Sequence, residues 1–225
     1  MNKEQFNEIK ERLAKYREIR HLTYENQREG FLGNVFEEVS EYFRAKNDLE
    51  RIDALCDIVV FCFNAFDIDY NFYREYSSNI ENTRIDSIIT SINHFIYKEF
   101  KNLTYADVSI PLIISHCFRL GHSLGFDFYK CMIETIKEIE SKNIGNYCEY
   151  ENKFYQMPGA YTLDDAYKLA FYRESNEPNL NGKTKPKLHK EDNIMWTFKY
   201  KSALGGDMEL NFIKWYKADY EGCKL

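Results

Sequence analysis

The stretch FEEVSEYFRAKNDLERIDALCDIVVFCFNA, from Phe36 to Ala65, decides how the chain is read. Val35, Val39, Tyr42 and Phe43 fall on one side of a helix placed near 34–46. Asn47-Asp48 makes a short break. Residues 50–66 then form a helix that is apolar nearly all round, the mark of a core helix. A break that short folds the two helices back on each other in antiparallel order. Asp57 is the exception inside the apolar run. Ala54, Leu55 and Cys56 precede it and Ile58 to Phe63 follow it, so its charge is expected to have poor access to water. A buried carboxylate is tolerated when it is neutralised, paired or bound to metal.

Reading outward, Phe6, Ile9, Leu13, Tyr16 and Ile19 recur at helical spacing and predict a first amphipathic helix. Gly30 and Gly33 punctuate the chain ahead of the second. Ile85, Ile88, Ile89, Ile92, Phe95, Ile96 and Phe100 mark a fourth helix, and residues 109–123 another, with Pro111 in its first turn. Gly121 and Gly125 loosen the chain, after which Asp127 N-caps a helix through Met132, Ile133, Ile136 and Ile139. The expected fold class is all-α, with a helical bundle over residues 1–142. Residues 143–225 are expected as a C-terminal extension packed on the bundle. Its parts are an irregular Tyr- and Asn-rich stretch over 143–161 and a capping box at Thr162-x-x-Asp165 opening a helix to Arg173. A polar loop over 174–192 and a last helix over 207–219 complete it.

Composition narrows the function classes. The chain has 225 residues, 44% hydrophobic and 16% aromatic, which is enough for one sizeable core or a core with an appendage. Ten glycines and four prolines are few, which favours helix. With a formal net charge of −6 and no long basic stripe, nucleic acid is not an expected partner. The six cysteines form no CxxC pair and read as free thiols of a reducing compartment. The first residues have no apolar signal core, and no apolar run approaches the ~20 residues of a membrane span. A soluble, cytoplasmic protein is the expectation.

The chemistry lies in five carboxylates. On a helix, Glu38 and Glu41 share a face, as do Glu37 and Glu41; Asp53 and Asp57 share one on the next helix. The antiparallel turn brings the two sets within reach of each other. Crowded carboxylates raise one another's pKa, and a hard divalent cation with oxygen ligands, Mg²⁺ or Mn²⁺, relieves the repulsion. Such ions also generate a hydroxide nucleophile and neutralise charge on a transferring phosphoryl group. A di-iron centre would need paired Glu-x-x-His strings, and Glu18-Ile-Arg-His21 stands alone; no Cys/His spacing suits zinc. A non-catalytic helical interaction module, with the acidic cluster as its partner-binding face, is the alternative.

The string Glu37-Glu38-x-x-Glu41, followed by an acidic pair leading into an apolar helix, resembles the MazG-like all-α nucleoside triphosphate pyrophosphohydrolases, in particular phage-type members. Their pattern is EExxE, a spacer, then ExxD. Taking Asp57 as the last acid puts Ala54 where the family has Glu, with Asp53 one residue away as the substitute; the literal Glu50-x-x-Asp53 is the other alignment. Leu124-Gly125-Phe126-Asp127, the segment from Glu134 to Lys142 and Trp215-Tyr216-Lys217-Ala218-Asp219-Tyr220 are also similar to phage-type relatives. The resemblance implies a four-helix-bundle-like core and Mg²⁺-dependent hydrolysis of a nucleoside or deoxynucleoside triphosphate to the monophosphate and pyrophosphate, with Mn²⁺ as a substitute metal. Glu38, Glu41, Asp53 and Asp57 would hold metal; Glu37 would help to bind metal or, with Glu38, act on the attacking water. Lys137, Lys142, Lys153 and Lys217 would meet the phosphates, and Tyr216 or Trp215 would stack on the base. The basic run Lys183, Lys185, Lys187 and Lys190 reads as a solvated loop. No membrane contact is expected. A homodimer is, because bundles of this family often pair and the first helix has an apolar stripe to spare.

Overall fold

The computed structural model describes residues 1–77, 83–100, 108–176, 185–202 and 205–225. The chain divides into two compact units: Met1–Ile136 with Ala218–Leu225, and Lys137–Lys217.

The first unit is helical. Helix α1 (Lys3–Ile19) begins at a capping box in which Asn2 and Gln5 exchange side-chain-to-backbone bonds, and it buries Phe6, Ile9 and Leu13. Helix α2 (Tyr24–Arg44) begins ten residues earlier than the glycines suggested, at a second capping box between Thr23 and Asn26. It runs straight through Gly30 and Gly33. Each interior glycine costs about 1 kcal/mol against alanine, which burial of Phe31 and Val35 alongside them outweighs. Asn47 caps helix α3 (Asp48–Ala65), its side chain accepting from the Glu50 amide. Helices α2 and α3 make the most extensive helix–helix packing of the described residues.

Helix α4 (Tyr70–Ser77), not foreseen, follows a short turn; α5 (Ile85–Phe100), α6 (Ser109–Ser123) and α7 (Phe128–Ser141) complete the helices of this region. Gly125 takes a positive φ of 88° in the α6–α7 turn, a conformation open to glycine at little cost. Asp127 then accepts from the Lys130 amide at the start of α7. Arg17 is buried and donates to the Phe63 carbonyl at 3.0 Å and the Asn64 side chain at 3.1 Å, satisfying the end of α3. No described helix is long and apolar enough to cross a membrane.

The second unit overturns the all-α expectation: the chain is mixed α/β. Strands β1 (Gly145–Cys148) and β2 (Lys153–Gln156) pair as an antiparallel hairpin where irregular chain was expected. Strands β3 (Gly159–Ala160), β4 (Lys187–Glu191), β5 (Met195–Lys201) and β6 (Asp207–Lys214) form a sheet in the order β3-β6-β5-β4, with β3 parallel to β6 and the other pairs antiparallel. The last helix expected over 207–219 is therefore strand β6, and Lys187 and Lys190 of the expected loop lie in strand β4. Lys183 and the rest of 177–184 lie outside the described residues.

The reason is a period of two. Trp196, Phe198 and Tyr200 on β5 and Met208, Leu210 and Phe212 on β6 all fall on one sheet face. Helix α8 (Leu163–Asn176) lays Leu163, Ala166, Tyr167 and Ala170 on that core, residues spaced for one face of a helix. Its start is where the capping box placed it, with Thr162 accepting from the Asp165 amide at 3.1 Å.

Candidate functional site

Almost every side chain of α3 from Ile52 to Ala65 is buried. Asp53, Asp57 and Phe61 are the exceptions, spaced by four, and they make the one stripe of the helix left open. Asp57 is thus half-buried on the same strip as Asp53, rather than sealed in the core as its neighbours in sequence suggested. On α2, Glu38 is half-buried while Glu37 and Glu41 are exposed. The packing of α2 on α3 brings the two sets into electrical contact. Burial, then Glu41, Asp53 and Glu37 in that order, push the Glu38 carboxyl from 4.5 up to about 7.

Glu50 is occupied elsewhere. Its carboxylate accepts from the Lys46 amide at 2.7 Å and the Asn47 side-chain amide at 3.3 Å, so it closes the α2–α3 turn. Asp53 is held from the far end of the chain: the Tyr220 hydroxyl donates to it at 2.7 Å. The same hydroxyl lies 2.9 Å from that of Thr135, which bonds the Cys131 carbonyl at 3.0 Å. Burial first, then Cys56 and Asp53, push the Tyr220 pKa upward and keep the phenol a proton donor. This back support was not readable in the sequence, since 167 positions separate Tyr220 from Asp53.

The chemistry of the donor set suits a hard cation, because every candidate atom is a carboxylate oxygen. As the side chains lie, no three His, Cys, Asp or Glu among the described residues are gathered closely enough to ligate one ion. A cation would have to draw the carboxylates inward, and the repulsion recorded at Glu38 favours that movement.

The expected phosphate-reading residues Lys137, Lys142, Lys153, Tyr216 and Lys217 all belong to the second unit. Lys142 is engaged there, bonding Glu138 at 2.7 Å and lying over the rings of Tyr161 at 5.0 Å and Trp215 at 5.8 Å. Burial works against its charge, but Glu138 and Tyr161 outweigh burial and raise its pKa. Tyr161 also donates to Glu138 at 2.5 Å, and Ser141 accepts from the Tyr216 amide at 2.9 Å. Lys137 lies 5.9 Å over the Tyr216 ring and Lys153 5.1 Å over Tyr155. Lys217 is exposed. Within the second unit, Ser141 and Lys142 thus meet Tyr216 and Trp215.

No family model, curated protein or solved structure matches the chain. The resemblance to the MazG-like enzymes rests on the quoted residues alone.

Proposed function

We propose that the chain is a Mg²⁺-dependent nucleoside triphosphate pyrophosphohydrolase whose centre is the α2–α3 carboxylate cluster. The observation that carries the reading is the crowding at Glu38, where burial and three neighbouring carboxylates hold a proton to about pH 7. Strongly perturbed acids are enriched at functional sites, where catalysis and metal binding call for shifted pKa values. Glu38, Glu41, Asp53 and Asp57 would hold the metal. Asp53 is preferred over Glu50 because Glu50 is committed to its turn and Asp53 is backed by Tyr220, as metal-binding carboxylates commonly are. The bound ion would supply an activated water and neutralise phosphate charge, and Glu37 and Glu38 would act on that water. A homodimer belongs to the same reading. Its support is the exposed Phe36 and Phe43 on α2, because the α1 stripe is spent on the unit's own core.

The test is a panel of nucleoside and deoxynucleoside triphosphates with Mg²⁺, scored for monophosphate and pyrophosphate. Asp57→Ala should lower the rate on the order of 100-fold or more, since even outer-shell losses at metal sites cost 10–100-fold. Activity untouched by that change, or no product from any substrate, ends the reading.

A second reading is the interaction module with an acidic face. It is favoured by the exposure of Glu37, Glu41 and Asp53 and by the lack of a gathered ligand trio among the described residues. It predicts no stabilisation by millimolar Mg²⁺ or Mn²⁺, whereas the enzyme reading predicts a clear rise in melting temperature.

A further inference from the structure

We infer that Thr135 and Tyr220 are positioning residues of the α2–α3 carboxylate centre: two hydroxyl donors in series that fix Asp53 for a divalent cation. The inference rests on that cluster being a metal centre. A proton inventory sets the direction of the chain. Three contacts meet at two hydroxyls: Tyr220 to Asp53 Oδ1 at 2.7 Å, Tyr220 to Thr135 at 2.9 Å, and Thr135 to the Cys131 carbonyl at 3.0 Å. Each hydroxyl has one proton to give. With Tyr220 donating to Asp53, the 2.9 Å contact holds only if Thr135 turns its own proton to Tyr220. The Cys131 carbonyl can release that proton, because one turn back in α7 it is already the acceptor for the Thr135 amide. The Cys56 thiol on α3 is also within hydrogen-bond reach of Thr135, but sulfur is a weaker acceptor than a phenol oxygen. Both donors then point toward the carboxylate, and donors in series strengthen one another.

The chain is anchored away from the cluster. Thr135 and Tyr220 are both buried. The segment around Tyr220 is tied down by the Asp127 amide on the Cys223 carbonyl at 2.8 Å and the Leu225 amide on the Gly125 carbonyl at 2.9 Å. The Asp219 amide adds a bond to the Glu134 carboxylate at 3.2 Å. Asp53, by contrast, is exposed, as are Glu37 and Glu41. A buried phenol needs one acceptor, and the Thr135 oxygen is near enough to be it, so burial of Tyr220 alone does not call for the bond to Asp53. The bond acts on cation binding. No three acids among the described residues are gathered closely enough to ligate one ion, so an arriving cation has to order several side chains. Each carboxylate held beforehand lowers that ordering cost. Asp53 is held in this way, by a short side chain on a buried helix with one oxygen tied to the phenol. Partners behind a ligand commonly orient it so.

The test is Mn²⁺ binding to the full chain without nucleotide, read from the loss of the free ion's electron paramagnetic resonance signal. Circular dichroism at the titration temperature confirms that each variant is folded. Tyr220→Phe should weaken Mn²⁺ about 10–100-fold, the usual effect of losing a partner behind a ligand. Thr135→Val should weaken it less, because Thr135 acts through Tyr220, and Thr135→Ser, which keeps the hydroxyl, should bind as the wild type does. In a Tyr220→Phe background Thr135→Val should add nothing, the mark of residues acting in series. Should Tyr220→Phe not fold, the Thr135→Val and Thr135→Ser pair decides. A wild type with no saturable Mn²⁺ binding overturns this inference together with the pyrophosphohydrolase reading. A wild type that binds Mn²⁺, with folded Tyr220→Phe or Thr135→Val binding it equally well, overturns the positioning role alone. So does a further loss from Thr135→Val in the Tyr220→Phe background.

Discussion

Replacing Glu38 by Gln should stabilise the first unit, and only at the upper end of the pH range. The folded chain keeps the Glu38 proton to about pH 7, against an ordinary value of 4.5. Between those limits the folded state binds more protons than the unfolded one, so wild-type stability falls as pH rises through the window. Above it the full penalty for an ionised Glu38 is present; below pH 4.5 none is. At 1.36 kcal/mol per pH unit the span is about 3 kcal/mol. The side chain is only half-buried and can relax, which reduces the expected effect to about 1–2 kcal/mol. Gln mimics the protonated acid in shape and charge, so it removes the penalty without opening a cavity. Urea unfolding of both proteins at pH 5 and pH 8 measures it. The variant should be more stable by about 1–2 kcal/mol at pH 8 and by much less at pH 5. Millimolar Mg²⁺ at pH 8 should close the gap by stabilising the wild type more. A variant no more stable at pH 8, or equally shifted at both pH values, would refute the crowding argument.

Three further outcomes are expected. Tyr220→Phe strips the donor from Asp53 and should cost about 1.5–3 kcal/mol in urea unfolding; the loss should shrink in an Asp53→Asn background, where the charge is already gone. Gly121→Ala drives a methyl into the Phe128 ring and should lower stability by about 1–3 kcal/mol, read as a drop in melting temperature. Phe212→Ala, at the centre of the sheet core, should cost about 3–5 kcal/mol and remove strand signal in circular dichroism while the helical signal persists.

Most of the helices were legible because their apolar residues repeat at three and four, and Asp127 and Thr162 mark two of the starts with side-chain caps; the short α4 was not foreseen. The start of α2 escaped because two glycines hid a capping box upstream of them. The sheet escaped for a different reason. Leu210, Ile213 and Tyr216 fit a helical period while Met208, Leu210 and Phe212 fit a strand period, and short apolar runs do not separate the two. The partner strand β5 removes the ambiguity by pairing residue for residue from Met195 to Lys201. The acidic pairs were readable from spacing alone. That Asp53 and Asp57 share an open stripe needed the rest of α3 to be seen buried around them, and the Tyr220 donor needed the folded chain.

The eight residues that return to the first unit also set a timetable. A ribosome releases the chain from its N-terminus, so everything from Lys137 to Lys217 emerges before Tyr220 does. Until then the first unit lacks the Tyr220 bond to Asp53 and the Asp127–Cys223 and Gly125–Leu225 backbone bonds. Helices α2 and α3, neighbours in sequence, can pack early, whereas the Tyr220 bond that backs Asp53 forms only after the whole of the second unit has been made.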